Sequence, residues 1–80
     1  MSEQDIFKQI KNLVVELLEV DEAEVVPEAS FVDDFSADSL DLIELITAVE
    51  EAFKIEIPDD DMAELKTVQD AVSYVEAKIQ

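Results

Sequence analysis

Residues 38–53 read DSLDLIELITAVEEAF, and their pattern is the strongest indication of the fold class. Its apolar residues recur every three or four positions, which predicts an amphipathic helix that begins at Asp38 or Ser39 and ends near Phe53. Acidic side chains occupy the opposite face, with Leu40 and Thr47 beside them. The predicted buried stripe consists of Leu42, Leu45, Ile46, Val49, Ala52 and Phe53.

Two further long helices are predicted on either side of this stretch. The first runs from about Glu3 to Glu19, and its start is marked by a capping pair, Ser2 and Asp5. The last starts at Thr67, with Asp70 three residues on as its capping partner. A short helix between them is predicted to follow Pro58 and the run DDD at 59–61, and to end near Glu64 or Leu65.

A long connection, residues 20–37, joins the first two long helices. Pro27 and the pair Asp33-Asp34 argue against one continuous helix there. Its apolar content predicts that the connection packs onto the core through Val25, Val26, Phe31, Val32 and Phe35. The expected fold is all-α: a four-helix bundle with three long helices, one short helix and a long first loop, in one domain over residues 1–80.

The composition excludes most kinds of active site. The 80 residues include no His, Cys, Gly or Trp, which removes Ser-His-Asp triads, ordinary zinc, haem and iron–sulfur sites, and glycine-rich phosphate loops. Acidic residues number 22 against 5 basic ones, for a net charge of −17, while 49% of residues are apolar, well above the level of disordered acidic tails. We therefore expect a folded protein that is not an enzyme.

The charge also predicts the partners. A surface at −17 repels nucleic acid and anionic membranes and attracts proteins with basic patches. The N-terminus is polar and acidic, unlike a signal peptide, and the apolar runs are too short to span a membrane. We expect a cytoplasmic monomer that binds neither nucleic acid nor membrane.

The acidic residues predict no specific metal site. The run at 59–61 lacks the glycine and the twelfth-position Glu of a helix-loop-helix calcium site, so it is interpreted as a helix start. Weak, diffuse binding of divalent cations is expected from carboxylate crowding alone.

Ser39 is the hydroxyl to consider. Serine at a helix start is usually a cap, but Ser36 and Asp38 are equally good caps here. As a nucleophile Ser39 has no base to activate it. As the acceptor of a phosphate-containing group it is well placed, because a helix N-terminus offers free N–H groups and a positive dipole end. Both interpretations, cap and acceptor, remain open.

The stretch 33–41, DDFSADSLD, closely resembles the attachment motif of acyl carrier proteins. IEIPD at 55–59 and TVQDAVSYV at 67–75 follow at the family's spacing, so the resemblance covers nearly the whole chain. It implies that Ser39 receives 4′-phosphopantetheine from coenzyme A through a holo-acyl-carrier-protein synthase. Acyl groups would then travel as thioesters on the arm, and the free-standing length and acidity favour a discrete carrier for fatty-acid synthesis enzymes.

The resemblance further implies a docking face on the second long helix. We call it the acidic face; it comprises Asp38, Leu40, Asp41, Glu44, Thr47, Glu50 and Glu51. Its carboxylates are expected to steer basic partner enzymes. Leu40 is either a small apolar anchor for them or an incidental surface leucine.

An acyl chain is expected to enter the helix bundle. The predicted acyl pocket is lined by Phe31, Val32, Ile46, Val49, Ile57, Met62, Leu65, Ala71 and Tyr74. The alternative is that these are ordinary core residues.

The chain departs from the family pattern at three places. Ser36 and the turn at Leu18-Glu19-Val20 stand where glycine is common, and Thr47 stands where a large apolar side chain is common. Two other functions remain open: a carrier for a polyketide or other specialised pathway, and an unmodified acidic interaction module.

Overall fold

Four α-helices organise residues 2–79, which are the residues that this computed structural model describes. The ends of the predicted domain, Met1 and Gln80, lie outside this range. Within it there is no β-strand, only one isolated bridge between Ser30 and Thr67. The all-α prediction of three long helices and one short helix is confirmed. The helices are α1 (Glu3–Leu18), α2 (Ser39–Phe53), α3 (Asp59–Met62) and α4 (Val68–Ile79).

Reciprocal caps define the starts of the long helices, as predicted. At α1 the Asp5 amide donates to Ser2 Oγ (3.2 Å), and the Ser2 amide donates to the Asp5 carboxylate. At α4 the Asp70 amide donates to Thr67 Oγ1 (3.2 Å), and the Thr67 amide donates to Asp70 Oδ2 (3.1 Å). Each pair satisfies amides that the first helical turn leaves without a partner.

The core lies where α1 packs against both α2 and α4. Ile6, Ile10 and Val14 of α1 are completely buried, as is Val68 at the start of α4. No charged or polar side chain of the described residues is buried. The apolar stripes of the three long helices therefore form one continuous hydrophobic cluster, and α3 contributes no buried residue to it.

The long connection is fixed to the start of α4 by backbone hydrogen bonds. The Phe31 amide donates to the Lys66 carbonyl (3.1 Å), and the Val68 amide donates to the Ala29 carbonyl (3.0 Å). The rings of Phe31 and Phe35 are both buried, with centroids 6.2 Å apart. Packing of the connection onto the core is thus confirmed for its aromatic residues and for Val25.

Two valines of the connection do not pack as predicted. Val26 is 42% exposed and Val32 is 57% exposed. Each follows a buried neighbour, Val25 or Phe31, and successive side chains of a non-helical segment point in different directions. Burial of the first residue of each pair turns the second to the surface.

Two details of the helices also differ from the prediction. Ala52, placed on the buried stripe of α2, is exposed, because it lies about 75° from the centre of that stripe at 3.6 residues per turn. The short helix ends at Met62 rather than near Glu64 or Leu65. Beyond Met62 the Glu64 amide bonds to the carbonyl of Asp61, three residues back, which is the tighter pattern of a turn.

Candidate functional site

Ser39 is the first residue of α2 and is exposed. The cap is Asp38: its Oδ1 accepts from the Asp41 amide at 2.9 Å, and the Asp41 carboxylate accepts from the Asp38 amide at 3.2 Å. Because Asp38 holds the cap, the Ser39 hydroxyl is not needed for it. Of the two interpretations of Ser39, the cap is excluded by this geometry.

The loop before α2 is folded back on itself by backbone hydrogen bonds. The Asp34 amide donates to the Ser30 carbonyl (2.9 Å), and the Ala37 amide donates to the Phe31 carbonyl (2.9 Å). Phe35 and Ala37 are buried on either side of the exposed Ser36. Ser36 itself has a φ of 53°, the left-handed conformation that favours glycine. Backbone hydrogen bonds therefore close the loop that leads into α2.

A groove runs from Ser39 between α2 and α3. Its volume is about 230 Å³, and the rest of its lining is apolar. We call it the entry groove; its lining residues are Ser39, Leu42, Ile43, Ile46, Met62 and Ala63. A group attached to the Ser39 oxygen would therefore have an apolar path to follow.

Behind the entry groove lies a small apolar cavity inside the bundle, with a volume of about 10 Å³. This is about the space of one water molecule, so the bundle is closed in this state. Leu42 and Ile46 line both spaces and form the wall between them. The cavity is lined by Ile10, Phe31, Leu42, Leu45, Ile46, Val49, Ile57, Leu65, Ala71 and Val75.

The predicted acyl-pocket residues divide into two groups. Six of them line this cavity: Phe31, Ile46, Val49, Ile57, Leu65 and Ala71. Val32 lies exposed at the surface and Met62 in the entry groove, while the Tyr74 hydroxyl donates to Asp61 Oδ2 at 2.6 Å. Sequence reasoning missed the other four lining residues, which are Ile10, Leu42, Leu45 and Val75. Leu42 and Leu45 belong to the predicted buried stripe of α2.

The acidic face is exposed along most of its length. Leu40 is 71% exposed, and Asp38, Glu44, Thr47 and Glu51 are exposed with it. Ile43, at 49% exposure, was missed by sequence reasoning, although its place three residues after Leu40 puts it on the same side. Leu40 and Ile43 together give this side of α2 two large apolar side chains.

Two acidic residues of this face have contacts of their own. The Glu50 carboxylate accepts from the Ile57 amide at 2.9 Å, which ties the link before α3 to α2. Asp41 belongs to the cap of α2, and both residues are only partly exposed. Glu44 and Glu51 make no side-chain hydrogen bond or ion pair within residues 2–79, and so present their charges to solvent.

A phosphate group attached to Ser39 would lie at the N-terminal end of α2, beside the apolar entry groove. The phosphate would meet the positive end of α2 at the exposed Ser39 hydroxyl. The described residues hold no cluster of acidic side chains able to bind a metal ion, and no helix among them is both long and apolar enough to cross a membrane.

Known proteins match the chain over most of its length. A family model described as "Phosphopantetheine attachment site" matches residues 8–75. The chain is 53% identical to the acyl carrier protein of Helicobacter hepaticus over 73 residues, which cover 91% of this chain and 96% of that protein. The chain belongs to the acyl carrier protein family. The acyl carrier protein of Bdellovibrio bacteriovorus is 55% identical over 73 residues, covering 91% of this chain and 94% of its own.

Membership of the acyl carrier proteins confirms the resemblance read from the sequence. The prosthetic group of the family is 4′-phosphopantetheine, and its members are carriers rather than catalysts. The chain lacks a glycine at position 36, but the backbone there takes the conformation that glycine favours.

Proposed function

We propose that Ser39 is the attachment residue for 4′-phosphopantetheine and that residues 1–80 act as one carrier domain for acyl groups in fatty-acid synthesis. The observation that supports this most is the exposed Ser39 hydroxyl at the start of α2, free of the cap and at the head of the entry groove. Members of the family carry this prosthetic group, and Ser39 is the serine of this chain whose position suits its attachment.

The loading step needs a partner enzyme. The Ser39 oxygen forms a bond to the phosphorus of coenzyme A that bears the pantetheine, while the bond from that phosphorus to the 3′,5′-ADP leaving group breaks. The hydroxyl proton goes to a base of the enzyme, because no imidazole or thiolate exists in this chain. A holo-acyl-carrier-protein synthase is the partner of this chemistry. When attached, the arm supplies a thiol that holds acyl groups as thioesters.

The acyl pocket is the second part of the proposal. An acyl chain of sufficient length passes from the entry groove, beyond Leu42 and Ile46, into the apolar cavity. The cavity has to expand, because in this state it has space for about one water molecule. Its lining is wholly apolar side chains, so an inserted hydrocarbon leaves water without burying a polar group.

The acidic face is the third part. Fatty-acid synthesis enzymes with basic patches dock on the exposed carboxylates of α2, and Leu40 and Ile43 provide apolar contact beside them. Exposed charge of one sign accelerates encounter more than it tightens the complex. That suits a carrier, which has to leave each partner after one reaction.

Intact mass spectrometry tests the attachment. We expect the unmodified protein, incubated with coenzyme A and a holo-acyl-carrier-protein synthase, to gain the mass of one phosphopantetheine. Ser39→Ala should gain nothing, whereas Ser36→Ala, which changes the other exposed serine of the same loop, should still be loaded. An unchanged mass for the wild-type chain would favour the unmodified interaction module instead.

A further inference from the structure

The short helix α3 has little of its own to hold it in place. Its four residues are far fewer than an isolated helix needs, and none of them is buried. Three of the four are aspartates, whose charges repel one another. The position of α3 therefore depends on contacts with the rest of the molecule.

One such contact joins α3 directly to a long helix. The hydroxyl of Tyr74, in the middle of α4, donates to Asp61 Oδ2 at 2.6 Å. Among the side-chain hydrogen bonds of residues 2–79, it is the one that connects two different helices. Its acceptor is a carboxylate and it is partly shielded from water, both of which strengthen a hydrogen bond.

The surroundings of Tyr74 keep its proton in place. Burial, and then the hydrogen bond to Asp61, raise the pKa of Tyr74 to about 12. The Lys78 ammonium, one turn further along α4, lies 5.5 Å from the centre of the ring and contacts its face. The donor is therefore present throughout the physiological pH range.

α3 forms one side of the entry groove. Met62 and Ala63 face Leu42 and Ile43 across it. The three long helices are packed together by the core, whereas α3 contributes to it only the partly buried Met62. Because α3 lines the groove and contributes no fully buried residue, its displacement would widen the entrance.

We propose that the Tyr74–Asp61 hydrogen bond is a latch that holds α3 on the bundle and sets how often the entry groove opens. Tyr74 does not line the cavity, so it acts through α3 as a positioning residue. The link from groove opening to acyl capture rests on the proposed carrier function, whereas the latch itself is measurable in the unmodified protein.

The first experiment uses the unmodified protein and needs no prosthetic group. Tyr74→Phe removes the donor but keeps the ring, Asp61→Asn keeps an acceptor oxygen, and Asp60→Asn makes the same charge change on a neighbouring residue. Amide exchange of Met62 reports on α3, that of Leu65 reports on the turn that follows it, and that of Val49 reports on the core. Relaxation dispersion of the Met62 methyl group, one of two methionines in the chain, follows opening where amide exchange is too fast.

With a latch, Tyr74→Phe speeds opening at Met62 and Leu65 about tenfold, the effect of losing a hydrogen bond to a charged group. Asp61→Asn gives a smaller increase, and Asp60→Asn leaves α3 as in the wild type. Two results overturn the latch: unchanged opening of α3 in Tyr74→Phe, or an increase of equal size at Val49, which would show only a loss of global stability.

The second experiment tests the link to acyl groups. In the loaded protein we compare cleavage of an octanoyl thioester by hydroxylamine with cleavage of an acetyl thioester, which is too short to reach the cavity. Tyr74→Phe should raise the octanoyl-to-acetyl rate ratio several-fold. An unchanged ratio with faster α3 opening overturns the link but not the latch, while failure to load any arm overturns the proposed function and leaves the first experiment valid.

Discussion

Glu19, Ser36 and Lys54 hold left-handed backbone conformations although none of them is glycine. Their φ values are 55°, 53° and 57°, and each Cβ then crowds a backbone carbonyl at a cost of about 1 kcal/mol or more. Glu19 and Lys54 end α1 and α2, where a left-handed residue lets the chain leave the helix. The glycine-free composition therefore stores strain at these turns.

Replacing Glu19 by glycine should release part of this strain. We expect Glu19→Gly to raise the free energy of unfolding by about 1 kcal/mol relative to Glu19→Ala. Both variants remove the same charge, so the difference between their free energies of unfolding reports on the backbone strain. Denaturant unfolding measures it; a Gly variant no more stable than the Ala variant would contradict the assigned strain.

The titration of Tyr74 is a second residue-scale test. Its pKa is raised to about 12, first by burial and then by the hydrogen bond to Asp61, with the charges of Glu50 and Glu64 adding to the effect. In the unfolded chain it ionises near 10. Folding thus favours the protonated form, so this contribution to stability is complete below pH 10 and is lost as the pH rises through 12.

Tyrosinate absorbance reports this residue alone, because the chain has one tyrosine and no tryptophan. At pH 11 about a tenth of the folded protein should be ionised, against about nine tenths in urea. Circular dichroism at pH 11 checks that the protein measured without urea is folded. Equal ionisation in the two states would show that the hydrogen bond to Asp61 does not persist in solution, and the latch would lose its basis.

At the scale of elements, α2 combines two roles on one helix. Its start is organised by Asp38 and Asp41, which cap it, and its middle presents Glu44 and Glu51 to solvent. Of these two pairs, only Glu44 and Glu51 can bind partners without lowering the stability of the fold. A test of docking has to change these two and leave the cap intact.

Glu44→Gln with Glu51→Gln should slow association with a holo-acyl-carrier-protein synthase several-fold at low salt. The control is Glu16→Gln with Glu28→Gln, two exposed residues outside α2 with the same change in net charge. The difference between the two pairs should shrink above about 0.1–0.2 M salt, where the screening length falls below about 10 Å. Equal effects of the two pairs at low salt would assign steering to overall charge rather than to the acidic face.

Local signals in the sequence predicted the elements well. Ser2 with Asp5 and Thr67 with Asp70 mark helix starts because a cap is made between residues close in sequence. Val32 was not predicted correctly because tertiary packing decides which residue of the pair Phe31-Val32 is buried. The end of α3 was not predicted correctly because the chain tightens into a turn beyond Met62. The hydrogen bond between Ile57 and Glu50 joins residues 7 positions apart, and the one between Tyr74 and Asp61 joins residues 13 positions apart. The periodicity of apolar residues contains no information about such pairs.

At the scale of the whole molecule, charge opposes folding. The net charge is −17, and the ion pair found among residues 2–79 joins Lys11 to Glu22 at 3.0 Å with Glu22 largely exposed. An exposed pair of this kind contributes about 1 kcal/mol or less. The hydrophobic cluster therefore provides the stability of the fold, and it has to outweigh the mutual repulsion of the carboxylates.

Divalent cations should relieve this repulsion more than monovalent salt does. We expect millimolar calcium or magnesium to raise the melting temperature above the value in sodium chloride of the same ionic strength, through diffuse binding among crowded carboxylates. Thermal unfolding by circular dichroism measures the shift. Equal melting temperatures in the two salts would assign the whole effect to screening.

The central claim is that one hydroxyl, at the start of α2, holds the arm on which acyl groups travel. Fragmentation of the loaded protein in a mass spectrometer locates the added group along the chain. We expect phosphopantetheine on Ser39 alone, so that N-terminal fragments ending at Asp38 are unmodified and those extending to Leu40 are modified. Phosphopantetheine on Ser36 or on any other residue would contradict it.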